Sequence, residues 1–414
     1  MKNYIILFVV LVVIATNVHA QNEKSFNIEL KNPTELTLTD YLVEANFETL
    51  KKQYPTLTET NFEVLLCEEK QAFQIIKTEK EYSLCFTVNF TPNEEKSVKF
   101  IYEKENPVQI FKQRTYAELS MKPGNIYYDK RFRGDEFKKV NKIKVPSIHT
   151  DHDALFKYEG PGWESEKVGY RFYLDWRNST DIYGKKINEL LLENVGTHDT
   201  VAKDDSYHSM QEWGMDIFKV GNTFGIGSFG MWDQNKVNMV SKTDSVYCEI
   251  PYTGPVKAEI KTDYYGWQVN DKKYNLESKI SISAGSRLTQ VNLSINNNAG
   301  NIVTGLAKHN NTEVFKSKTD GNWKYLALYG KQTLVDENDK LGIAVIYNTK
   351  EFVEEIEDSL SYVIKLKPEN GNVKYYFCAA WEQEKDGIKT LQEFINYLDE
   401  TVKLLENPII IKFN

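Results

Sequence analysis

The chain has 414 residues, with 51 lysines and arginines against 59 aspartates and glutamates and a formal net charge of −8. That length calls for one large domain or two. Ordinary charged and apolar fractions exclude wholesale disorder, and the acidic balance argues against nucleic acid as a partner.

Residues 1–20 read as a secretory signal peptide. Lys2 is followed by an apolar run from Ile5 to Ala15, and Val18 and Ala20 place small residues before a cut at Gln21. The run is too short for a normal membrane span, and no cysteine follows the cut to carry a lipid. The mature chain is therefore expected to be soluble and periplasmic or secreted, with no membrane span. Residues 21–110 form an expected N-terminal β-rich unit of short runs such as NFEVLLC and YSLCFTVNF. Within it, YLVEANFETLKKQYP suits a short helix or a strand and turn. Residues 111–157 look like an irregular, charged connection. From 158 to 414 the pattern is strand, turn, strand again, with no βαβ alternation and no internal repeat. This predicts an all-β fold, a large antiparallel β-sandwich, either as a separate unit or continuous over 21–414. One helix is expected over 390–405, where Thr390 and Glu393 form a capping box and Leu391, Phe394, Ile395, Leu398, Val402 and Leu405 line one side. Cys67 and Cys85 lie on neighbouring predicted strands and could pair in an oxidising compartment; buried free thiols are the alternative.

The chemistry-bearing residues concentrate between Tyr158 and Lys186. If 169–177 is one strand, Tyr170, Phe172, Leu174 and Trp176 share the core face, and Arg171, Tyr173, Asp175 and Arg177 share the other. Arginine is scarce, six of the 51 basic residues, so these two mark places where a planar fork matters. That fork suits a carboxylate or sulfate, or a structural Arg–Asp–Arg ladder. Trp163, in a Gly/Pro turn, is either a platform for a sugar ring or a lid on the core. Tyr183 and Lys185 follow the strand. His208, in a polar loop before a strand, suits a general base. His309 could face a cleft. Of the potential ligands His149, Asp151, His152 and Asp153, alternation puts His149, Asp151 and Asp153 on one face with His152 opposed, where a divalent cation could bind, or the stretch forms a solvated loop; no other cofactor is expected. The GxGxxG at 225–230 lacks a βαβ unit, so its glycines are read as strand bends. No GxSxG or HExxH occurs.

The segments EGPGWESEKVGYRFYLDWRNSTDIYGKK, EWGMDIFKVGNTFGIGSFGMWD, GPVKAEIKTDYYGW and ISISAGSRLTQVNLSI resemble the bacterial family called domain of unknown function 4861 over roughly residues 25–412. The resemblance implies a mutarotase-like supersandwich and a place among polysaccharide-utilisation proteins. It also implies similarity to an oligosaccharide dehydratase acting on uronate-containing products of ulvan breakdown. Elimination beside a uronate needs a cation for the carboxylate, a base for the adjacent C–H and an acid for the leaving oxygen. Arg171 or Arg177 suits the first role. His208 suits the second, with Tyr207 or His309 as alternatives, and Tyr173 or Tyr183 suits the third. Trp163 and Lys185 would complete the surface for an acidic oligosaccharide. A glycoside hydrolase using two of Glu159, Glu164, Asp175 and Asp181, and a glycan-binding protein without catalysis, are the competing expectations.

Overall fold

A computed structural model describes residues 23–79, 81–103, 109–124, 126–134, 136–197 and 206–413. The expected signal peptide lies outside them. Two hydrophobic cores organise the chain.

The larger core sits between a nine-stranded antiparallel sheet and two five-stranded sheets. The nine strands run, edge to edge, Lys142–Lys144, Ser245–Tyr252, Lys257–Val269, Lys272–Ser283, Thr289–Ile295, Asn372–Trp381, Leu341–Asn348, Trp323–Gly330 and Thr312–Lys316. Alternation sends Ala258, Ile260, Tyr264, Ile280, Ile282, Val291, Leu293, Ile343 and Val345 inward. They meet Trp163, Tyr170, Phe172, Ile182, Phe229 and Leu306 of the facing sheets. In strand 257–269 a bulge between Tyr264 and Trp267 changes the side-chain parity, so both residues stay in the core. Gly266 makes this possible: its φ is +64°, and a Cβ there would lie 2.1 Å from the Asp244 carboxylate. The glycines of the GxGxxG stretch act in the same way. Gly227 has φ +65° and lies under Phe377, within another register shift between Ile226 and Phe229.

The predicted helix is present as Leu391–Glu406, with the Thr390–Glu393 capping box formed. Phe394, Leu398 and Val402 pack on the outer face of the nine-stranded sheet, where Ala327, Ala344 and Ala380 keep the surface low. No helix among the described residues is long and apolar enough to cross a membrane.

The smaller core lies between a five-stranded sheet (Ile410–Phe413, Lys24–Lys31, Glu95–Tyr102, Phe62–Leu66, Glu69–Lys70) and a three-stranded one (Leu38–Asn46, Tyr82–Phe90, Phe73–Lys77). The chain's last strand thus pairs with its first described strand. The segment after Tyr41 contains both forms expected of it: a strand to Asn46, then a helix Phe47–Gln53 capped by the Asn46 side chain. Cys67, Cys85, Cys248 and Cys378 are all free thiols, Cys67 exposed and the others buried.

Candidate functional site

The candidate site is the outer face of one five-stranded sheet. Its strands are ordered Gly214–Asp216, Thr180–Lys185, Gly169–Phe172, Gly162–Ser165 and Thr115–Glu118. Residues pointing into the sandwich are apolar: Met215, Ile182, Tyr170, Phe172, Trp163 and Ala117. Those pointing away are Asp216, Asp181, Tyr183, Lys185, Arg171, Glu164, Tyr116 and Glu118, all buried. A charged face on a sheet normally meets water. Here it is covered by the loops that carry Tyr158, Leu192, Val195 and Tyr207, so every charge must find a partner inside. Lys157 reaches Glu118 at 2.6 Å, and Lys185 reaches Glu164 at 2.7 Å. The second oxygen of Glu164 accepts from the backbone N–H groups of Leu191 and Leu192.

Arg171 is the centre. It stands directly opposite Asp181 in the strand register. Its Nη2 donates to Asp181 Oδ2 at 2.7 Å and to Asp216 Oδ2 at 2.6 Å, and its Nη1 donates to the Tyr207 hydroxyl at 3.2 Å. The Tyr173 hydroxyl donates to the same Asp181 oxygen at 2.5 Å. Burial, followed by the neighbouring charge of Asp216, pushes Asp181 up to about 6 in spite of Arg171. Burial would lower Arg171, yet Asp216 and Asp181 keep it firmly protonated. Burial likewise holds Tyr173 and Tyr183 far above the usual phenol range, so both are neutral phenols. At the rim, His208 Nδ1 lies 3.4 Å from Asp216 Oδ2, and 54% of its side chain is exposed.

The single long strand expected over 169–177 does not form. Pairing stops at Phe172, and the chain turns through Asp175–Asn178, with Asn178 N–H donating to Asp175 carbonyl and Asn178 at φ +46°. Arg171 therefore does not share Asp175 with Arg177. Arg177 binds Asp175 through Nη2 at 2.5 Å and Glu159 at 3.1 Å, with its guanidinium carbon 3.8 Å from the centre of the Tyr173 ring. Its Nη1 has no hydrogen-bond partner among the described residues. Burial favours the neutral form of Glu159, but the His152 hydrogen bond and the charges of Arg171 and Arg177 hold it well below the usual carboxylate range. His152 Nδ1 lies 3.0 Å from that carboxylate. One polar chain thus runs from His208 through Asp216, Arg171, Asp181, Tyr173 and Arg177 to Glu159.

Other expected site residues are placed elsewhere. Trp163 is no surface platform: it is fully buried, stacked on Tyr170, and donates to Thr289. Lys185 is sealed against Glu164 and the Ser165 carbonyl, so it has no ammonium to offer a ligand. Tyr173 is buried with its proton given to Asp181, which suits positioning more than acid catalysis. Tyr183 lies beside Arg171, buried, with its hydroxyl unpartnered among the described residues. His309 packs on Phe218 beside Lys219, and among the described residues it makes no contact with the Arg171 cluster. The segment 149–153 diverges: His149 binds Asp153 at 2.8 Å, Asp151 accepts from Trp176, and His152 turns to Glu159. No group of three His, Cys, Asp or Glu among the described residues is arranged for a metal ion. Each hydrolase candidate carboxylate is paired with a cation: Glu159 and Asp175 with Arg177, Glu164 with Lys185, and Asp181 with Arg171. Trp176, placed in the core by strict alternation, is instead 44% exposed. The Asp-Trp-Arg-Asn sequence, a turn composition, was the available signal. The partnership of Asp181 and Asp216 across Arg171 left no trace in local sequence spacing.

The model of the family described as "Domain of unknown function (DUF4861)" matches residues 30–411, and the chain belongs to that family. An "Uncharacterized protein P7" of Formosa agariphila is 24% identical over 274 residues, covering 60% of this chain and 65% of that protein. Two solved structures cover 94% of this chain. They are an alpha-mannosidase from Enterococcus faecalis V583 (10% identity, TM-score 0.46) and a protein in the glycosyl hydrolase family 38 from Enterococcus faecalis (9% identity, TM-score 0.44). The chain spans 46% and 47% of those two chains, about half their length.

Proposed function

We propose that this DUF4861 member is an exported carbohydrate-active enzyme, a carbon–oxygen lyase of the dehydratase or polysaccharide-lyase type acting on uronate-containing oligosaccharides. The single observation that carries the reading is the His208–Asp216 pair, a solvent-facing imidazole backed by a buried carboxylate that Arg171 locks in place. Of the three catalytic candidates His208, Tyr173 and His309, only His208 puts its ring at this cluster and in solvent. Asp216 orients the ring so that Nε2 faces outward as the base. In the reaction His208 takes the proton from the carbon next to the uronate carboxylate. The electrons of that C–H bond form a C=C bond as the adjacent C–O bond breaks, and the leaving oxygen takes a proton from water. Both arginines are matched by two carboxylates, but Arg171 Nη1 is also taken by Tyr207 and its side chain is only 4% exposed, against 11% for Arg177, so Arg177 Nη1 is assigned to the substrate carboxylate. The pattern at residues 1–20 supports export.

The test is incubation with uronate oligosaccharides, following enoate absorbance and product mass. Dehydration loses water, lytic cleavage conserves total mass, and hydrolysis adds water. Turnover with an enoate signal that disappears in His208→Ala is expected. Hydrolytic products, or an enoate signal that survives in His208→Ala with the fold intact, would refute the assignment.

A further inference from the structure

Two clefts meet at Trp176, at the end of the polar chain that Arg177 and Asp175 occupy. The first, about 390 Å³, is walled by Arg177, Lys236, Lys242, Gln268 and Asn270. The second, about 430 Å³, is walled by His149, Asp175, Asn178 and Tyr264. Trp176 and Ser241 line both. Each volume is in the range of ordinary ligand sites. The indole is held in place, since its Nε1 donates to Asp151 at 2.7 Å, yet it remains 44% exposed.

Two features of the walls bear on a ligand. On one side Lys236 and Lys242 are exposed, and neither makes an ion pair with a carboxylate among the described residues. On the other side, His149 Nε2 and Asn178 Nδ2 are buried without hydrogen-bond partners among the described residues. Their other polar atoms are firmly engaged: His149 Nδ1 with Asp153 at 2.8 Å, and Asn178 Oδ1 with the Tyr264 hydroxyl at 2.8 Å. The side chain of His149 and the whole of Asn178 are each only 1% exposed. A buried polar group left unpaired costs free energy, and two in one cleft wall point to a partner supplied from outside.

We propose that Trp176 is the ridge of a two-compartment glycan groove. A sugar ring stacks on the indole. Its acidic neighbour places a carboxylate or sulfate among Arg177, Lys236 and Lys242. A neutral neighbour gives its hydroxyls to His149 and Asn178. The groove rests on the carbohydrate reading above for its ligand class, but not on elimination chemistry.

The test is calorimetric titration of the full chain with a β-1,4-linked glucuronate tetramer and with cellotetraose, its neutral counterpart. The wild-type protein should bind the acidic tetramer at least about tenfold more tightly, and about 0.5 M salt should remove most of that preference. Trp176→Ala should weaken both ligands by about tenfold or more. Lys236→Ala/Lys242→Ala should bring the acidic ligand to the level of the neutral one. All three substitutions are at exposed side chains, so the fold is retained. Binding that is unchanged in these variants, or no binding of either tetramer to the wild type, overturns the groove. Groove-dependent binding without any turnover sustains the groove and removes the lyase assignment.

Discussion

Replacing Arg171 with methionine tests the physical centre of the site. Arg171, Asp181 and Asp216 have side chains 4%, 1% and 4% exposed, with contacts of 2.7 and 2.6 Å. The three carry one net negative charge, and removing the guanidinium leaves two carboxylates facing each other without water. Breaking a buried ion pair from one side costs about 3–5 kcal/mol, so a loss of that size is expected near neutral pH. The protein has one escape, which is to protonate a carboxylate. Asp181 is already pushed up to about 6 against a reference of 3.8, and it rises further without its cation. The folded variant then holds a proton that the unfolded chain releases, so its stability climbs as pH falls. At about 1.4 kcal/mol per pH unit per proton, the variant should recover about 1.7 kcal/mol relative to wild type between about pH 7.5 and pH 6, because Asp181 of the wild type also begins to take up a proton there. Urea unfolding at both pH values, followed by tryptophan fluorescence, measures this. A deficit below about 1 kcal/mol, or one independent of pH, would refute the buried triad.

Asp216→Asn should leave the fold cooperative while lowering kcat of any turnover by about tenfold or more, because the amide can turn its NH2 toward the imidazole and no longer fixes the ring 3.4 Å from a carboxylate oxygen; steady-state kinetics of the two proteins check this. Lys185→Met should destabilise by about 3–5 kcal/mol by stranding Glu164, and Lys185→Met/Glu164→Gln should restore most of it, as measured by denaturant midpoints. Thr390→Ala should cost about 1 kcal/mol through loss of the helix cap, seen in the same assay. In the native state one thiol of four, Cys67, should react quickly with a water-soluble disulfide reagent. Burial pushes Cys248 and Cys378 up to about 12, so their reaction should track unfolding.

Much of the architecture could be read from alternation and capping. Strand Asn372–Trp381, and strand Lys257–Val269 up to its bulge after Tyr264, carry their inward residues at period two, and Thr390 with Glu393 marks the helix start within a residue. Alternation failed where a turn broke the strand. It placed Arg171 correctly on the outward face, then carried Tyr173, Asp175, Trp176 and Arg177 along a strand that had ended at Phe172. Long-range pairing was illegible for a different reason. Asp216 is 45 residues from Arg171, and only the order of strands in the sheet puts them together. Trp163 and Lys185 had surface-like composition around them. Their burial follows from cover loops whose docking no local pattern encodes.

The covered charges explain why this face can serve a site at all. An apolar outer face would have packed its loops more cheaply, since replacing buried ion pairs with hydrophobic groups is often neutral or stabilising. The pairs Lys157–Glu118 and Lys185–Glu164 each join a strand to a neighbouring segment, and both also bind loop backbone near Leu192 through Lys157 Nζ and Glu164. They therefore fix the cover in one register relative to the sheet. With the cover fixed, Tyr207 is held on Arg171, and His208, the next residue, is held at the rim against Asp216. Arg171 thus acts through position. Its charge is consumed by two aspartates, and what it leaves to the surface is a histidine with a defined direction. On that argument, Lys185→Met/Glu164→Gln should keep stability near wild type yet loosen the placement of His208. Any turnover should then fall in kcat more than in KM, a split that a purely structural role for the pair would not produce.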